Sequence, residues 1–335
     1  MAAEEPLRVA IIGCGLIGRK RANALGSSRL VACADVVEER ARALAGSHLE
    51  ARAYTDWHRM LATEDADIII VATTNNVLAQ GAMAAVQSGR HVLVEKPAAR
   101  SERELAPLIE AAQHADVRVR VGFNHRYHPG LLKARELCDA GALGQLMFVR
   151  GRYGHGGRLG YENEWRADPE LAGGGELLDQ GAHVIDLARW FLGNFEEVTG
   201  FAHTYFWPML VEDNGFLLLK TPGQEAAFLH VSCTEWKNLF SFEIYGRKAK
   251  LHVEGLGGSY GVERLSYYKM LPEMGPPETR IWEYPGADLS WQVEFSEFTE
   301  DIRLNRAPAA GLEDARAVLS VVEKVYRESG YDHHP

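Results

Sequence analysis

Residues 13–18 read GCGLIG, a complete G-x-G-x-x-G between the apolar run LRVAII (7–12) and a stretch of helical character. Glycine is common in this chain, so the pattern alone is weak. Its setting makes it informative. It follows an expected strand, opens an expected helix, and is followed by Asp35 at the end of the next apolar run. That is the layout of a dinucleotide-binding turn. Gly13 permits the tight turn, Gly15 lets the backbone approach a pyrophosphate, and Gly18 allows the helix to pack closely on the strand. Leu16 and Ile17 complete the loop and start the helix whose N-terminus faces the phosphates. The competing reading is a glycine turn of purely structural use.

Asp35 would accept hydrogen bonds from ribose hydroxyls, and its charge opposes a 2′-phosphate. Val36 and Val37 bring no cation to offset that charge, so the pattern favours NAD over NADP. Arg40, one turn further on, leaves NADP open. Asp35 has a plainer reading as well, as a helix cap.

The apolar runs LVACAD (30–35), ADIIIVAT (66–73), HVLVEK (91–96) and VRVRVGF (117–123) are rich in Val and Ile and do not alternate. Parallel strands buried on both faces have this character. Helical stretches separate them, including 77–89 and 101–115, the latter with Ser101 and Glu104 in capping-box spacing. The expectation is an α/β chain with a doubly wound parallel sheet at its N-terminal end. From 146 to 285 the pattern changes to longer, partly alternating runs: LMFVRGRYG, VTGFAHTYF, GFLLLKTP, EAAFLHVSCTEW, LFSFEIYGRKAKLHVEG and ETRIWEYPG. These predict a large, mostly antiparallel sheet, interrupted by a helix at 176–192. A last helix is expected over 312–329, ending at Gly330.

The formal charge of −10 argues against a nucleic-acid partner or an anionic membrane surface, which need a basic face. No run of 18 apolar residues exists, and MAAEEPLRVA lacks the basic and apolar regions of a signal peptide. The cysteines, Cys14, Cys33, Cys138 and Cys233, are too dispersed for a CxxC site or a disulfide framework. The expected compartment is cytoplasmic. His333 and His334 are expected to be exposed in a polar tail. No HxxxH or HxH cluster suggests a metal.

Two further segments carry chemistry. The fifth apolar run ends in Glu95-Lys96-Pro97, and ligands of an open parallel sheet bind outside the carboxyl ends of its strands. Residues 173–186, GGGELLDQGAHVID, put Asp179 and His183 one turn apart on a helix, with Cβ atoms roughly 5–6 Å apart. Oxidation of an alcohol needs a base for the hydroxyl proton and a cation for the developing alkoxide. His183 suits the first and Lys96 the second. Asp179 either orients the imidazole or binds a substrate hydroxyl. The three glycines let the chain pass close to the cofactor and substrate, and Asp186 braces the helix.

GCGLIG (13–18), ATTNN (72–76), GRHVLVEKP (89–97), VGFNHRYHP (121–129), EWR (164–166) and GGGELLDQGAHVIDLARWFLG (173–193) occur in this order. Together they resemble the Gfo/Idh/MocA oxidoreductases, named after glucose–fructose oxidoreductase and inositol dehydrogenase. The resemblance implies a dinucleotide-binding Rossmann domain over 1–123 and an α/β substrate-binding and oligomerisation domain over 124–335. One face of the second domain's sheet would cover the active site and the other would build a homodimer or homotetramer. The family's catalytic Lys, Asp and His fall on Lys96, Asp179 and His183. Its cofactor contacts fall on Thr73, Asn75, Glu95, Lys96, Asn124, Trp165 and Arg166, beside Gly13, Gly15, Leu16, Ile17, Gly18, Asp35 and Val36. A cis peptide before Pro97 is also implied. Two departures stand out: Thr74 and Leu78 replace a proline and a histidine common in the family, and His125 replaces an arginine.

The activity implied is hydride transfer between NAD(H) and a ring hydroxyl or ketone of a sugar, sugar derivative or cyclitol. Two alternatives share the scaffold: NAD-dependent glycoside hydrolysis through transient oxidation and elimination, and a non-catalytic dinucleotide sensor. Elimination would need an added acid or base, with His155, Tyr153 and Tyr161 as candidates. Tyr153, His155 and Trp236 are the expected substrate contacts.

Overall fold

The computed structural model describes residues 5–331, so His333 and His334 lie outside the described residues. Contacts divide the chain into two units. The first comprises the residues up to Phe123 together with Trp291–Arg316, and the second comprises Asn124–Ser290 with the segment from Ala317 onward.

The first unit holds six strands: β1 (Arg8–Ile12), β2 (Arg29–Ala34), β3 (Arg52–Tyr54), β4 (Ile68–Val71), β5 (His91–Glu95) and β6 (Val119–Gly122). All pair in parallel, in the order β3-β2-β1-β4-β5-β6. This is the doubly wound order, with its switch point between β1 and β4. The connecting helices are α1 (Leu16–Ala22), α2 (Glu38–Gly46), α3 (Trp57–Thr63), α4 (Asn75–Gln87) and α5 (Glu102–His114). The capping residue of α5 is Ser101, whose hydroxyl accepts from the Glu104 N–H at 3.3 Å. The reciprocal bond of a capping box falls one residue early, from the Arg100 N–H to Glu104 at 3.0 Å. The three-residue edge strand β3 carries no apolar run and is invisible to periodicity.

The second unit contains α6 (Pro129–Asp139), β7 (Leu146–Gly154), α7 (Pro169–Ala172), α8 (Glu176–Leu192) and strands β8 (Glu197–His203), β9 (Asn214–Lys220), β10 (Ala226–Ser232), β11 (Leu239–Gly246), β12 (Ala249–Glu254), β13 (Glu263–Lys269) and β14 (Glu278–Tyr284). The eight strands form one sheet in the order β14-β13-β12-β11-β7-β10-β9-β8. Every pairing is antiparallel except β7 with β10. Helix α8 packs on β7, β9 and β10. Its apolar side, including Leu177, Leu178, Ile185 and Leu187, is buried. Phe201, Leu218 and Phe228, by contrast, stay at least half exposed.

The expected partition at 123/124 needs one correction. Helix α9 (Ser290–Arg303), apart from Ser290, and the first turn of α10 (Leu312–Ser329) belong to the first unit, not to a second domain running from 124 to the end. The reason is burial: Phe295 and Phe298 of α9 join Val9, Ile11, Cys33, Ile68, Ile70 and Leu93 in one core cluster. Among the described residues, no helix is long and apolar enough to cross a membrane.

Candidate functional site

The glycine loop is built as its spacing implies. Gly13 has φ +98°, and a Cβ there would lie 2.3 Å from the Ala72 carbonyl oxygen. A Cβ on Gly18 would lie 1.9 Å from the Gly13 carbonyl oxygen. Only glycine fits either place. Gly15 is different, because no atom comes within 4 Å of its missing Cβ. Gly15 is also the N-cap of α1 and offers no side-chain cap to the first-turn N–H groups. The loop thus presents open backbone donors at a helix start, which fits the pyrophosphate of a dinucleotide. Leu16 is exposed and Ile17 half-buried at its edge.

Asp35 has work beyond any ribose. Its Oδ2 accepts from the Cys14 N–H at 2.8 Å and its Oδ1 from the Val37 N–H at 2.9 Å. The first bond holds the glycine loop and the second shapes the start of α2, so the capping reading of Asp35 has a real counterpart. An ionised carboxylate has about four acceptor positions, so these two bonds leave room for ribose hydroxyls. Val36 beside it is 87% exposed.

Thr73 and Asn75 follow β4, and Glu95 and Lys96 close β5. With Gly13 after β1 and Asp35 after β2, they stand along the carboxyl edge of one parallel sheet. The Thr73 hydroxyl donates to the Thr74 carbonyl at 3.0 Å, and Asn75 is buried at the first position of α4. The Lys96–Pro97 peptide is cis.

Glu95 is buried and bonded inward: its Oε1 accepts from Arg21 Nε at 2.6 Å. Arg21, fully buried on α1, also pairs with Glu294 of α9 and lies 4.4 Å from the centre of the Trp291 ring. Burial, and the neighbouring Glu95, hold the Glu294 carboxyl above its usual range despite the pull of Arg21. Helix α1, the end of β5 and α9 are thereby tied through one cation. Sequence reading placed Glu95 at the cofactor and missed Arg21 and Glu294.

In the second unit, α8 carries Asp179, His183 and Asp186. Asp179 accepts from Arg166 Nε at 3.0 Å. Arg166 is thus one partner of Asp179, a contact that the one-turn spacing to His183 does not disclose. Arg166 also covers the Trp165 ring at 4.6 Å, so these two expected cofactor residues form one surface with Asp179. Asp186 is buried and bonded to both Nε and Nη2 of Arg126, with Nε at 2.8 Å. It braces the helix.

His183 is 5% exposed and its ring stacks on that of His125, with centroids 3.7 Å apart and planes 23° apart. Asn124 donates to Ser290 Oγ at 2.9 Å, and its Oδ1 lies 3.3 Å from His125 Nδ1. Tyr153 lies near both rings, 5.1 Å from His125 and 6.2 Å from His183. Burial, with Tyr260 hydrogen-bonded to it, pushes the Tyr153 phenol well above its usual range.

His155 Nδ1 accepts from the Gly157 N–H at 3.0 Å, and its Nε2 lies 3.3 Å from Glu176 Oε1. The first bond puts the proton on Nε2, facing Glu176. Tyr161 donates to the same oxygen at 2.8 Å. With both ring nitrogens engaged, His155 is poorly placed to serve as the extra acid or base. Trp236, 68% exposed, packs edge-on against Phe206 at 4.7 Å.

Two of the three glycines, Gly174 and Gly175, have a packing role inside the chain. A Cβ on Gly174 would lie 2.2 Å from the Tyr326 hydroxyl, and one on Gly175 would lie 2.0 Å from the Glu212 carbonyl oxygen. They admit the chain's own atoms. Glu212, fully buried, caps α8 from outside: it accepts from the Gly175 and Leu177 N–H groups at 2.9 and 2.8 Å, and from the Tyr326 hydroxyl at 2.7 Å. Burial pushes its carboxyl up to about 7 against these donors. No signal in the sequence pairs Glu212 with residue 175.

Among the described residues, no group of three His, Cys, Asp or Glu side chains could hold a metal ion. Residues 7–123 match the model described as an oxidoreductase family, NAD-binding Rossmann fold, and residues 131–252 match the model of the GFO/IDH/MocA C-terminal domain. The chain belongs to the Gfo/Idh/MocA family. Its members differ in what they act on. A levoglucosan dehydrogenase of Pseudarthrobacter phenanthrenivorans is 31% identical over 161 residues, 45% of this chain and 39% of that protein. An inositol 2-dehydrogenase of Saccharopolyspora erythraea is 30% identical over 224 residues, 64% of this chain and 63% of that protein. The matched part is thus less than two thirds of either relative's length. A solved levoglucosan dehydrogenase in complex with NADH superposes with a TM-score of 0.86 over 97% of this chain and 98% of that one, at 22% identity. At that identity the likeness is one of fold.

Proposed function

We propose that this Gfo/Idh/MocA protein is an NAD-dependent dehydrogenase that oxidises a ring hydroxyl of a sugar, sugar derivative or cyclitol to the ketone, or runs the reverse reduction. The observation that carries the reading is the open glycine loop, held by Asp35, on the same sheet edge as Lys96. When bound, the nicotinamide supplies the hydride acceptor or donor. The chain's residues do the remainder. Gly13, Gly15 and Gly18 shape the cradle, Asp35 selects the unphosphorylated ribose, and Thr73, Asn75, Asn124, Trp165 and Arg166 line the dinucleotide.

Lys96 holds the reacting oxygen and stabilises the negative charge that grows on it as the hydroxyl proton leaves. His183 accepts that proton during oxidation and returns it during reduction. Asp179, fixed by Arg166, accepts a hydrogen bond from a substrate hydroxyl. Names of relatives such as levoglucosan dehydrogenase and inositol 2-dehydrogenase support a polyol ring as substrate. The test is NADH formation by the purified protein with hexoses, inositols, sugar phosphates and nucleotide sugars. Absence of turnover on all four classes, with tight NAD binding, would favour the sensor.

The exposed apolar side chains Phe201, Leu218 and Phe228 support a homodimer or homotetramer built through the outer sheet face. Light scattering that finds only the 37.2 kDa monomer at micromolar concentration would refute this. The dispersed, free cysteines support a cytoplasmic setting.

A further inference from the structure

The proposed base does not stand alone in its unit. His125 and His183 are 6% and 5% exposed, and their rings stack at 3.7 Å. They come from different elements. His125 lies in the short helical turn Asn124–Tyr127 and His183 lies in the middle of α8. Asn124 spends its amide N–H on Ser290, which leaves its Oδ1 as the acceptor for His125 Nδ1. His125 therefore carries its first proton on Nδ1. Any further proton must go to Nε2 and make the ring a cation against the face of His183.

Charged groups around the pair in the second unit also have partners of their own. Behind His125, His128 lies 5.5 Å away, ring to ring, and its Nδ1 meets Glu263 at 3.0 Å. Asp288 lies 3.9 Å from its other nitrogen. On either side of His183 along α8, Asp179 is bonded to Arg166 and Asp186 to Arg126. From the sheet, Tyr153 presents a phenol held neutral by burial, and Phe240 presents an apolar ring to His125 at 6.0 Å. Two like charges in contact in a buried site suppress each other's formation. Sites coupled this strongly titrate as a pair, with two separated macroscopic steps.

We propose that His125 is a positioning residue for His183. It fixes the imidazole plane by stacking, and it couples to it so that near neutral pH no more than one of the two rings carries the extra proton. The catalytic consequence, a His183 kept available as a base, rests on the dehydrogenase reading; the coupling itself does not.

The test is imidazole NMR on the full chain with ¹³C-labelled histidine, without substrate. Signals are assigned by their loss in H125F and H183F, and both midpoints are followed with pH. In the wild-type protein the sum of the two midpoints should fall below the sum of the single midpoints, His183 in H125F and His125 in H183F, by one unit or more. Equal sums overturn the proposal. If either Phe variant fails to fold by circular dichroism, H125Q and H183Q give the same comparison. Coupling in a protein that turns over no polyol would sink the dehydrogenase reading and leave the pair standing. Turnover with equal sums would do the reverse.

Discussion

Arg166 donates its Nε to Oδ2 of Asp179 at 3.0 Å, with neither side chain fully exposed. The carboxylate one turn before His183 is held by an arginine thirteen residues upstream. Removing Arg166 should deprive Asp179 of this guanidinium and loosen its position. We expect R166A to lower kcat by roughly 10²-fold, the usual cost of a misplaced group, while R166K retains more. Steady-state kinetics on an active polyol decide it. Unchanged kcat in R166A would mean that Asp179 is positioned by other contacts.

For the acid/base pair, H183N should lower turnover by about 10²–10⁴-fold and leave NAD affinity nearly unchanged. K96A should cost at least as much, because the developing oxyanion loses its cation. Near-normal turnover by H183N would remove His183 from the chemistry and leave α8 as a brace.

Asp35 has two jobs, and one substitution should expose both. D35S should narrow the preference for NAD(H) over NADP(H), measured by titration calorimetry. It should also destabilise the protein, because the Cys14 and Val37 N–H groups lose a charged acceptor worth about 1.5–3 kcal/mol per bond. A narrowed preference with no fall in melting temperature would contradict the loop-holding role.

Arg21 compensates two buried carboxylates. R21M should destabilise the protein by about 3–5 kcal/mol, since Glu95 and Glu294 would be left without their cation. Urea denaturation measures this, and a loss within the range of an ordinary surface substitution would argue against a tightly coupled site.

Glu212 makes a pH prediction. Its folded-state carboxyl is raised to about 7, so between about 4.5 and 7 the native state holds a proton that the unfolded state has released. Stability from this group is therefore highest below the unfolded value and falls as pH rises to about 7, by about 3 kcal/mol in all. E212Q has no such proton. The stability difference between wild type and E212Q, from urea midpoints at pH 5 and 8, should shift against the wild type at the higher pH. A constant difference would show that the three donors hold the carboxyl ionised throughout.

Sequence alone determined what is local in this chain. The glycine turn, the Ser101 cap, the limits of α8 and the end of α10 at Gly330 depend on backbone conformation and on hydrogen bonds within a few residues. Parallel strands buried on both faces announce themselves by composition. The edge strand β3 lacked that signal, as did β13. Only the tertiary structure decided that α9 completes the first unit's core, that Arg21 meets Glu294 273 residues away, that Glu212 caps α8 and that His125 stacks on His183. In each case a buried group takes a partner that the topology delivers from another element. Many residues in the chain have the right chemistry for that part, and only the path of the backbone selects which one arrives.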